Sequence, residues 1–178
     1  MKYEQPTLSI DAGTSTGWAI VGSSLGPYGR LRLKTDEQYL AGISEILDIA
    51  RLLGVKKVLI EEPYLKWKKL KNKKTGKWEK TPLVQAFKKL CYKVSWWFAL
   101  AQREGFEAEL VASATWRSGV LGKGFAKATR EKCKPAAIGM VWTLYRIEVI
   151  DDIAEAILMG RFGYQRDNFN SKIAARTL

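Results

Sequence analysis

Short apolar runs separated by polar turns fill the first part of the chain, a pattern typical of β-strands. The runs predict three strands, at 7–11, 17–22 and 29–33. The connections between them are short enough for an antiparallel meander. From residue 36 to residue 53 the apolar positions recur every three or four residues, which predicts a helix.

Strands and helices alternate through the rest of the chain. The apolar run at 56–61 follows the first helix and should therefore lie parallel to the first strand. The remaining predicted elements are a helix at 83–102, a strand at 107–112, and two helices at 126–145 and 151–160. The order β-β-β-α-β-α-β-α-α predicts an α/β fold with one mixed five-stranded sheet and helices on both faces. Residues 1–163 form one predicted domain, followed by a polar C-terminal tail at 164–178.

Composition narrows the chemistry that this fold can perform. The 178 residues include no histidine and only two cysteines, which excludes histidine-dependent triads, His-ligated zinc or haem, and a four-ligand structural zinc site. Thirty Lys and Arg against 18 Asp and Glu give a net charge of +12, which favours a polyanionic partner, most often nucleic acid. A generically basic surface is the alternative. No secretory signal and no apolar run of roughly 18 residues is present, so we expect a cytoplasmic protein without membrane contact.

A lysine-rich insertion at 63–82 carries much of this charge. Its central stretch, 66–80, holds eight lysines and one glutamate, or +7 of the net +12. Its length exceeds that of ordinary structureless connections, and the runs WKKLK and KWEK predict a small hairpin with a tryptophan on each arm. Lysines interleaved with aromatic side chains suit a phosphate backbone with exposed bases, although a solvated loop with both tryptophans in the core is the alternative. The predicted nucleic-acid contacts are Lys66, Trp67, Lys68, Lys69, Lys71, Lys73, Lys74, Lys77 and Trp78.

Carboxylates interrupt apolar sequence at three points. Asp11 ends the first strand, Glu61 and Glu62 end the fourth, and Asp152 and Glu155 share one face of the last helix. Neighbouring parallel strands bring their carboxyl ends together, and only one of Glu61 and Glu62 can point towards Asp11 because strand side chains alternate. Three or four carboxylates without histidine predict a site for a hard ion, Mg²⁺ or Mn²⁺. Each acid alone could instead cap a turn, pair with a lysine or stabilise a helix start.

These motifs together resemble those of the RuvC-type Holliday junction resolvases, in the RNase H-like (retroviral integrase) superfamily. The resemblance spans about residues 7–162 and rests on LSIDAGTSTGWAIV, VLIEEP and DDIAEAI, in that order. It implies an RNase H-like nuclease domain and selects Glu61 over Glu62. It also implies that two Mg²⁺ ions, replaceable by Mn²⁺, are held by Asp11, Glu61, Asp152 and Glu155. Glu155 stands where the family more often has aspartate.

The resemblance implies roles for five further residues. Tyr64 matches an aromatic residue that inserts at the centre of the junction. Arg117 and Lys134 match basic residues near the scissile phosphate, and Lys134 counts among the implied catalytic residues. Such resolvases are homodimers that meet through the second helix. On that helix Tyr92 and Trp96 lie away from the apolar stripe, so we expect both to be exposed in a monomer and packed at a two-fold interface.

The implied activity is that of a crossover junction endodeoxyribonuclease, a magnesium-dependent hydrolase that resolves four-way junctions by paired nicking. It needs no small-molecule cofactor. The compact length and the TWR motif resemble the phage-type branch, whose members cut several branched DNAs in the host cytoplasm. Two alternatives remain, namely a non-catalytic branched-DNA-binding protein and an RNase H-type nuclease that acts on RNA–DNA hybrids. A sugar-kinase-like ATPase shares the Asp-x-Gly-Thr run but needs two related halves and a much longer chain.

Overall fold

A computed structural model describes residues 5–13, 15–32, 35–65, 67–71 and 76–174, with the backbone alone for 67–71, 79–80 and 171–174. The strands within these ranges are β1 (Thr7–Asp11), β2 (Thr16–Val21), β3 (Leu25–Leu31), β4 (Lys57–Glu61), β5 (Trp67–Lys71), β6 (Trp78–Pro82) and β7 (Glu107–Val111). The helices are α1 (Asp36–Leu52), α2 (Val84–Arg103), α3 (Ser113–Val120), α4 (Arg130–Tyr145) and α5 (Asp151–Ala174), with a 3₁₀-helix at Lys123–Phe125. No helix in this part of the chain is long and apolar enough to cross a membrane.

The centre of the molecule is a five-stranded mixed sheet in the order β3-β2-β1-β4-β7. β1, β2 and β3 form an antiparallel meander, whereas β4 lies parallel to β1 and β7 lies parallel to β4. The predicted meander, crossover and mixed sheet are therefore confirmed. Ile10 pairs with Ile60, so the next residues, Asp11 and Glu61, end adjacent strands at the same edge of the sheet.

Helices cover both faces of the sheet and form two separate cores. Ile10 faces the core under α1 and α2, whereas Leu59 faces the core under α3, α4 and α5. Since side chains alternate along a strand, Ser9 and Asp11 point towards the α5 face. The Ser9 hydroxyl donates a 2.7 Å hydrogen bond to the backbone carbonyl of Ala156, which fixes α5 on that face.

The helix α1 begins and ends where local sequence signals predict. The Thr35 hydroxyl accepts a 3.3 Å hydrogen bond from the backbone N–H of Gln38, and so caps the first turn. Gly54 follows the last turn with a φ of +73°, in the left-handed region that favours glycine. Along its inner face α1 buries apolar side chains such as Ile43 and Leu47, and these anchor it on the sheet.

The helix α5 is longer than predicted. It does not end at Gly160 but continues to Ala174, so the segment 164–178, predicted as a tail, is helical up to that residue. Gly160 is a point of close contact instead of a stop signal. A Cβ atom at this position would lie 2.7 Å from the Ser9 hydroxyl and 2.7 Å from a Val21 methyl group, so the glycine lets the helix lie close to the sheet.

Ion pairs hold the far end of α5 against the sheet. The Arg166 guanidinium donates two 2.7 Å hydrogen bonds to the two carboxylate oxygens of Glu109 in β7. Lys57 in β4 lies 2.9 Å from Asp167 and 3.1 Å from a second β7 acid, Glu107. This extension could not be predicted from amphipathic periodicity, because charged residues that form ion pairs occupy much of the face where apolar residues would be expected.

Two further elements differ from the prediction. The sequence predicts no element at α3, because its eight residues are too few to show helical periodicity. It contributes the fully buried Trp116, and its Gly119 packs under the ring of Phe162. The following helix begins at Arg130 and not at residue 126, since the 3₁₀-helix and a short turn precede it.

Candidate active site

Four carboxylates from three elements converge at the carboxyl ends of β1 and β4. Asp11 ends β1, Glu61 ends β4, and Asp152 and Glu155 lie in the first two turns of α5. Asp11 is 7% exposed and Glu155 is 5% exposed. Burial raises the pKa of Asp11 well above its usual range, and the negative charges of Glu61, Glu155 and Asp152 raise it further. A cation bound among these acids would therefore stabilise their charged forms.

Of the two glutamates at the end of β4, Glu61 joins this cluster. Its Oε1 accepts a 3.1 Å hydrogen bond from the indole N–H of Trp116. Glu62 is exposed at the edge of the cleft, and its backbone N–H donates to the carbonyl of Val111 at 2.9 Å. Sequence reasoning missed Trp116, and the only signal for it was an aromatic residue directly beside Arg117.

Arg117 lies among the carboxylates. Its Nη2 donates a 2.9 Å hydrogen bond to Oε1 of Glu155 and lies 3.7 Å from Oε1 of Glu61. The side chain is 11% exposed. Burial lowers the pKa of Arg117, but the charges of Glu155 and Glu61 outweigh burial, so its pKa is above the ordinary value. The position that the resemblance assigns to a phosphate contact is thus paired here with two acids.

Two basic residues of α4 flank the cluster. Arg130 was missed in the sequence, and its Nη2 lies 3.9 Å from Oδ1 of Asp152. Arg130 also lowers the pKa of Asp11, against the carboxylates that raise it. Lys134 forms an ion pair with Asp151, the chain neighbour of Asp152. The predicted lysine is therefore beside the cluster and is engaged by the adjacent acid.

A cleft opens over the carboxylates. Its walls combine acidic, basic and aromatic side chains: Asp11, Ala12, Gly13, Glu61, Glu62, Tyr64, Leu90, Arg117, Arg130 and Glu155. Tyr64 is 39% exposed. Partial burial raises the pKa of Tyr64, and the charge of Glu61 raises it further, so its hydroxyl stays protonated at neutral pH. An aromatic ring thus stands at the mouth of an acidic cleft.

The lysine-rich insertion contains the predicted hairpin. β5 and β6 form a separate antiparallel pair, in which Lys71 lies opposite Trp78. Lys77 and Trp78 are exposed, Trp78 by 69%, so the alternative of a tryptophan in the core is wrong for this residue. The predicted contacts that lie outside the described residues are Lys66, Lys73 and Lys74. Those described by backbone alone, in β5, are Trp67, Lys68, Lys69 and Lys71.

The two predicted interface residues of α2 differ from each other. Tyr92 is exposed, as expected for a monomer. Trp96 is only partly exposed, because its ring packs 6.0 Å from the ring of Tyr39 and against the core. The expectation that both would be exposed is therefore wrong for Trp96.

The donor chemistry of the cluster suits a hard divalent cation. Carboxylate oxygens are the preferred ligands of Mg²⁺, and the buried Asp11 is surrounded by like charges. Among the described residues, however, no group of three or more Asp, Glu or Cys side chains is placed so that it could hold one metal ion as it stands. The residues that could become ligands are Asp11, Glu61, Asp152 and Glu155, two of which Arg117 contacts.

Comparison with solved structures identifies the fold. A Thermus thermophilus RuvC structure matches with a TM-score of 0.60 and 14% identity, over 92% of this chain and 97% of that chain. T. thermophilus RuvC in complex with Holliday junction substrate matches with a TM-score of 0.58 and 15% identity, over 91% and 95%. No protein-family model and no curated protein sequence matches the chain. The protein has a RuvC-like, RNase H-like fold, as predicted.

Proposed function

We propose that this protein is a metal-dependent, structure-selective DNA endonuclease that resolves four-way junctions by paired nicking. The proposal is carried by one observation in a RuvC-like fold: Asp11, Glu61 and Glu155 line one cleft, and Asp152 is near enough to raise the pKa of Asp11. The net charge of +12 supports a nucleic-acid substrate. One structural neighbour is RuvC in complex with Holliday junction substrate, which supports branched DNA as the substrate of this chain.

The four carboxylates, Asp11, Glu61, Asp152 and Glu155, would hold two Mg²⁺ ions, for which Mn²⁺ can substitute. When bound, such a pair of ions activates water and stabilises the leaving oxygen of a phosphodiester. The remaining side chains prepare the site. Trp116 fixes one oxygen of Glu61, and Lys134, which pairs with Asp151 beside the cluster, would contact a phosphate of the bound strand.

The hairpin of β5 and β6 would grip the arms of the substrate. It begins at Trp67, six residues after Glu61, so the chain itself holds it near the cleft. Its lysines would contact phosphates, and the exposed Trp78 offers a flat surface for an unpaired base. Between hairpin and cluster stands Tyr64, which we assign to the opening of base pairs at the junction centre.

Paired nicking requires two active sites, and we propose that a homodimer supplies them. The exposed Tyr92 on α2 would lie in the interface, supported from beneath by Trp96. Light scattering at micromolar concentration tests this assembly. A dimer mass that becomes monomeric in Tyr92→Glu supports the proposed interface, and a monomer mass for the unchanged protein contradicts it.

Cleavage of labelled substrates tests the activity. A four-way junction, a linear duplex, a flap and an RNA–DNA hybrid are compared with Mg²⁺ and with EDTA. Symmetric paired nicks in the junction, abolished by EDTA, are expected. Equal cutting of all branched substrates would indicate a broader debranching nuclease, and cutting of the hybrid alone would indicate an RNase H-type enzyme. Tight junction binding without cleavage under any divalent metal would leave a non-catalytic binding protein.

A further inference from the structure

We propose that Arg117 is a built-in counterion of the carboxylate cluster, which neutralises it in the metal-free protein and is displaced when divalent cations bind. This inference rests on the proposed function, because it takes the four carboxylates to be the metal site. It assigns Arg117 a role in metal binding that is separate from any contact with DNA.

The contacts of Arg117 support this role. The guanidinium is nearly buried and faces two acids that belong to different elements, Glu155 of α5 and Glu61 of β4. A buried carboxylate without a partner is costly, and one cation between two acids reduces that cost for both. Arg117 thus supplies in advance part of the positive charge that the cluster needs.

The same contacts show that Arg117 is held by charge more than by matched geometry. A single nitrogen, Nη2, approaches both Glu155 and Glu61, and the second distance is 3.7 Å, in contrast to the two parallel bonds of a bidentate pair. Its Nε is buried and has no hydrogen-bond partner among the described residues. An unmet buried donor costs free energy, so the bound position of the guanidinium is not its best possible one.

Trp116 holds Glu61 in place when the cation replaces Arg117. Its indole N–H holds Oε1 of Glu61 at 3.1 Å through a hydrogen bond that does not involve Arg117. Release of Arg117 therefore frees an oxygen of Glu155 while Glu61 keeps its orientation. The released guanidinium would remain at the cleft wall, where it can meet a phosphate oxygen of the DNA.

Because Arg117 and a divalent cation compete for the same oxygens, removal of Arg117 should tighten metal binding. We expect Arg117→Gln to bind Mn²⁺ about tenfold more tightly than the unchanged protein, within the usual range of coupling between sites. Without metal the variant should melt at a lower temperature, since the acids lose their counterion. Saturating Mn²⁺ should remove this difference in melting temperature.

Arg130→Gln is the matched control. It removes the same charge from the same cleft, but Arg130 is half-exposed and lies 3.9 Å from its partner acid, Asp152. Its Mn²⁺ affinity should change less than that of Arg117→Gln. Arg117→Lys keeps the positive charge but on a shorter side chain. Its affinity for Mn²⁺ should lie between those of the unchanged protein and Arg117→Gln.

The measurement is a Mn²⁺ titration followed by electron paramagnetic resonance of the free ion, with melting curves in EDTA and in Mn²⁺. If the unchanged protein binds Mn²⁺ and both Arg117 variants bind it equally or more weakly, the counterion role is wrong. An equal gain in affinity for Arg117→Gln and Arg130→Gln would show that the effect comes from net charge alone, and would also overturn the counterion role of Arg117. If none of the proteins binds Mn²⁺, it is the proposed metal-dependent function that fails.

Discussion

The backbone of Asp152 lies against Gly17, in the space where a side chain would stand. Gly17 pairs with Asp11 across β1 and β2. A Cβ atom on Gly17 would overlap the backbone carbonyl of Asp152. The missing side chain therefore determines how closely the first turn of α5 approaches the end of β1, and with it the distance between the acids of the two elements.

Gly17→Ala should separate these acids. The added methyl group must displace the backbone at Asp152, which costs about 1–3 kcal/mol as an overpacked contact. We expect a lower melting temperature and a loss of junction cleavage larger than the loss of binding. Gly22→Ala is the control, because it follows the same strand and its Cβ would meet Pro6 at an ordinary 3.5 Å. Full cleavage by Gly17→Ala would show that the close approach is not needed.

Asp11→Asn should stabilise the metal-free protein and abolish cleavage. Burial and three neighbouring acids raise the pKa of Asp11 above its unfolded value, so its charged form destabilises the fold. The wild-type stability therefore falls as pH rises from the unfolded pKa through the folded pKa, and the asparagine variant escapes this fall. At neutral pH in EDTA we expect a gain of about 1–2 kcal/mol in the free energy of unfolding.

Urea denaturation at several pH values, with and without Mg²⁺, measures this effect. The advantage of Asp11→Asn should disappear at acid pH, where the wild-type carboxyl is protonated, and reverse in Mg²⁺. Glu62→Gln is the control, because Glu62 is an exposed acid at the same sheet edge. A variant that is less stable than the wild type in EDTA at neutral pH would contradict the electrostatic account.

The sheet, and the place of each of the four carboxylates within its own strand or helix, could be predicted because both depend on local rules. Strand runs and a helical crossover determine that β4 lies parallel to β1. Once that is known, the alternation of side chains brings Asp11 and Glu61 to one edge. The i, i+3 spacing places Asp152 and Glu155 on one face of α5, and the family resemblance implies that this face joins the strand acids.

The partners of these acids could not be predicted, because they depend on packing between distant elements. Trp116 and Arg117 belong to α3, a helix too short for its periodicity to be visible. Arg130 meets Asp152 only through the packing of α4 on α5. At Gly160 the local signal gave a wrong prediction. A glycine at this position is typical of a helix end, but here it lets α5 lie close to the sheet.

Tyr64→Ala should weaken junction binding more than duplex binding. Loss of a ring that stacks on a base costs about 1–3 kcal/mol, or roughly 5- to 150-fold in affinity. Tyr64→Phe keeps the ring and should retain most of the affinity. Tyr28→Ala is the control, because it removes an equally exposed tyrosine, 39% in both cases, from the edge strand β3. Fluorescence anisotropy with both DNAs measures the difference, and equal losses on junction and duplex would argue against a role in opening base pairs.

Neutralising the hairpin should flatten the salt dependence of junction binding. Removing one lysine that touches a phosphate reduces the slope of log K against log salt by about 0.9, so replacing four lysines reduces it by up to about 3.6. The variant carries glutamine at Lys68, Lys69, Lys71 and Lys77. The control replaces two exposed cations at the opposite edge of the sheet, Lys56 and Arg103, and should leave the slope unchanged. An unchanged slope in the hairpin variant would place the DNA elsewhere.

The far end of α5 should contribute to stability, although its sequence resembles a tail. Arg166 and Glu109 share two 2.7 Å hydrogen bonds, and both side chains are about two-thirds buried. Arg166→Met keeps an unbranched apolar side chain but removes the pair, together with the guanidinium that lies 5.5 Å from the centre of the Phe162 ring. Loss of such charged hydrogen bonds costs about 1–3 kcal/mol.

A double-mutant cycle with Glu109→Gln separates the pair from its surroundings. Arg103→Met is the control, because Arg103 is exposed and pairs only with its chain neighbour Glu104 among the ion pairs of the described residues, an arrangement worth little. We expect a coupling energy between Arg166 and Glu109 and a near-neutral control. If Arg166→Met melted at the wild-type temperature, the pair with Glu109 would add nothing to the fold, and the far end of α5 would be held by its other contacts, such as Lys57 with Asp167.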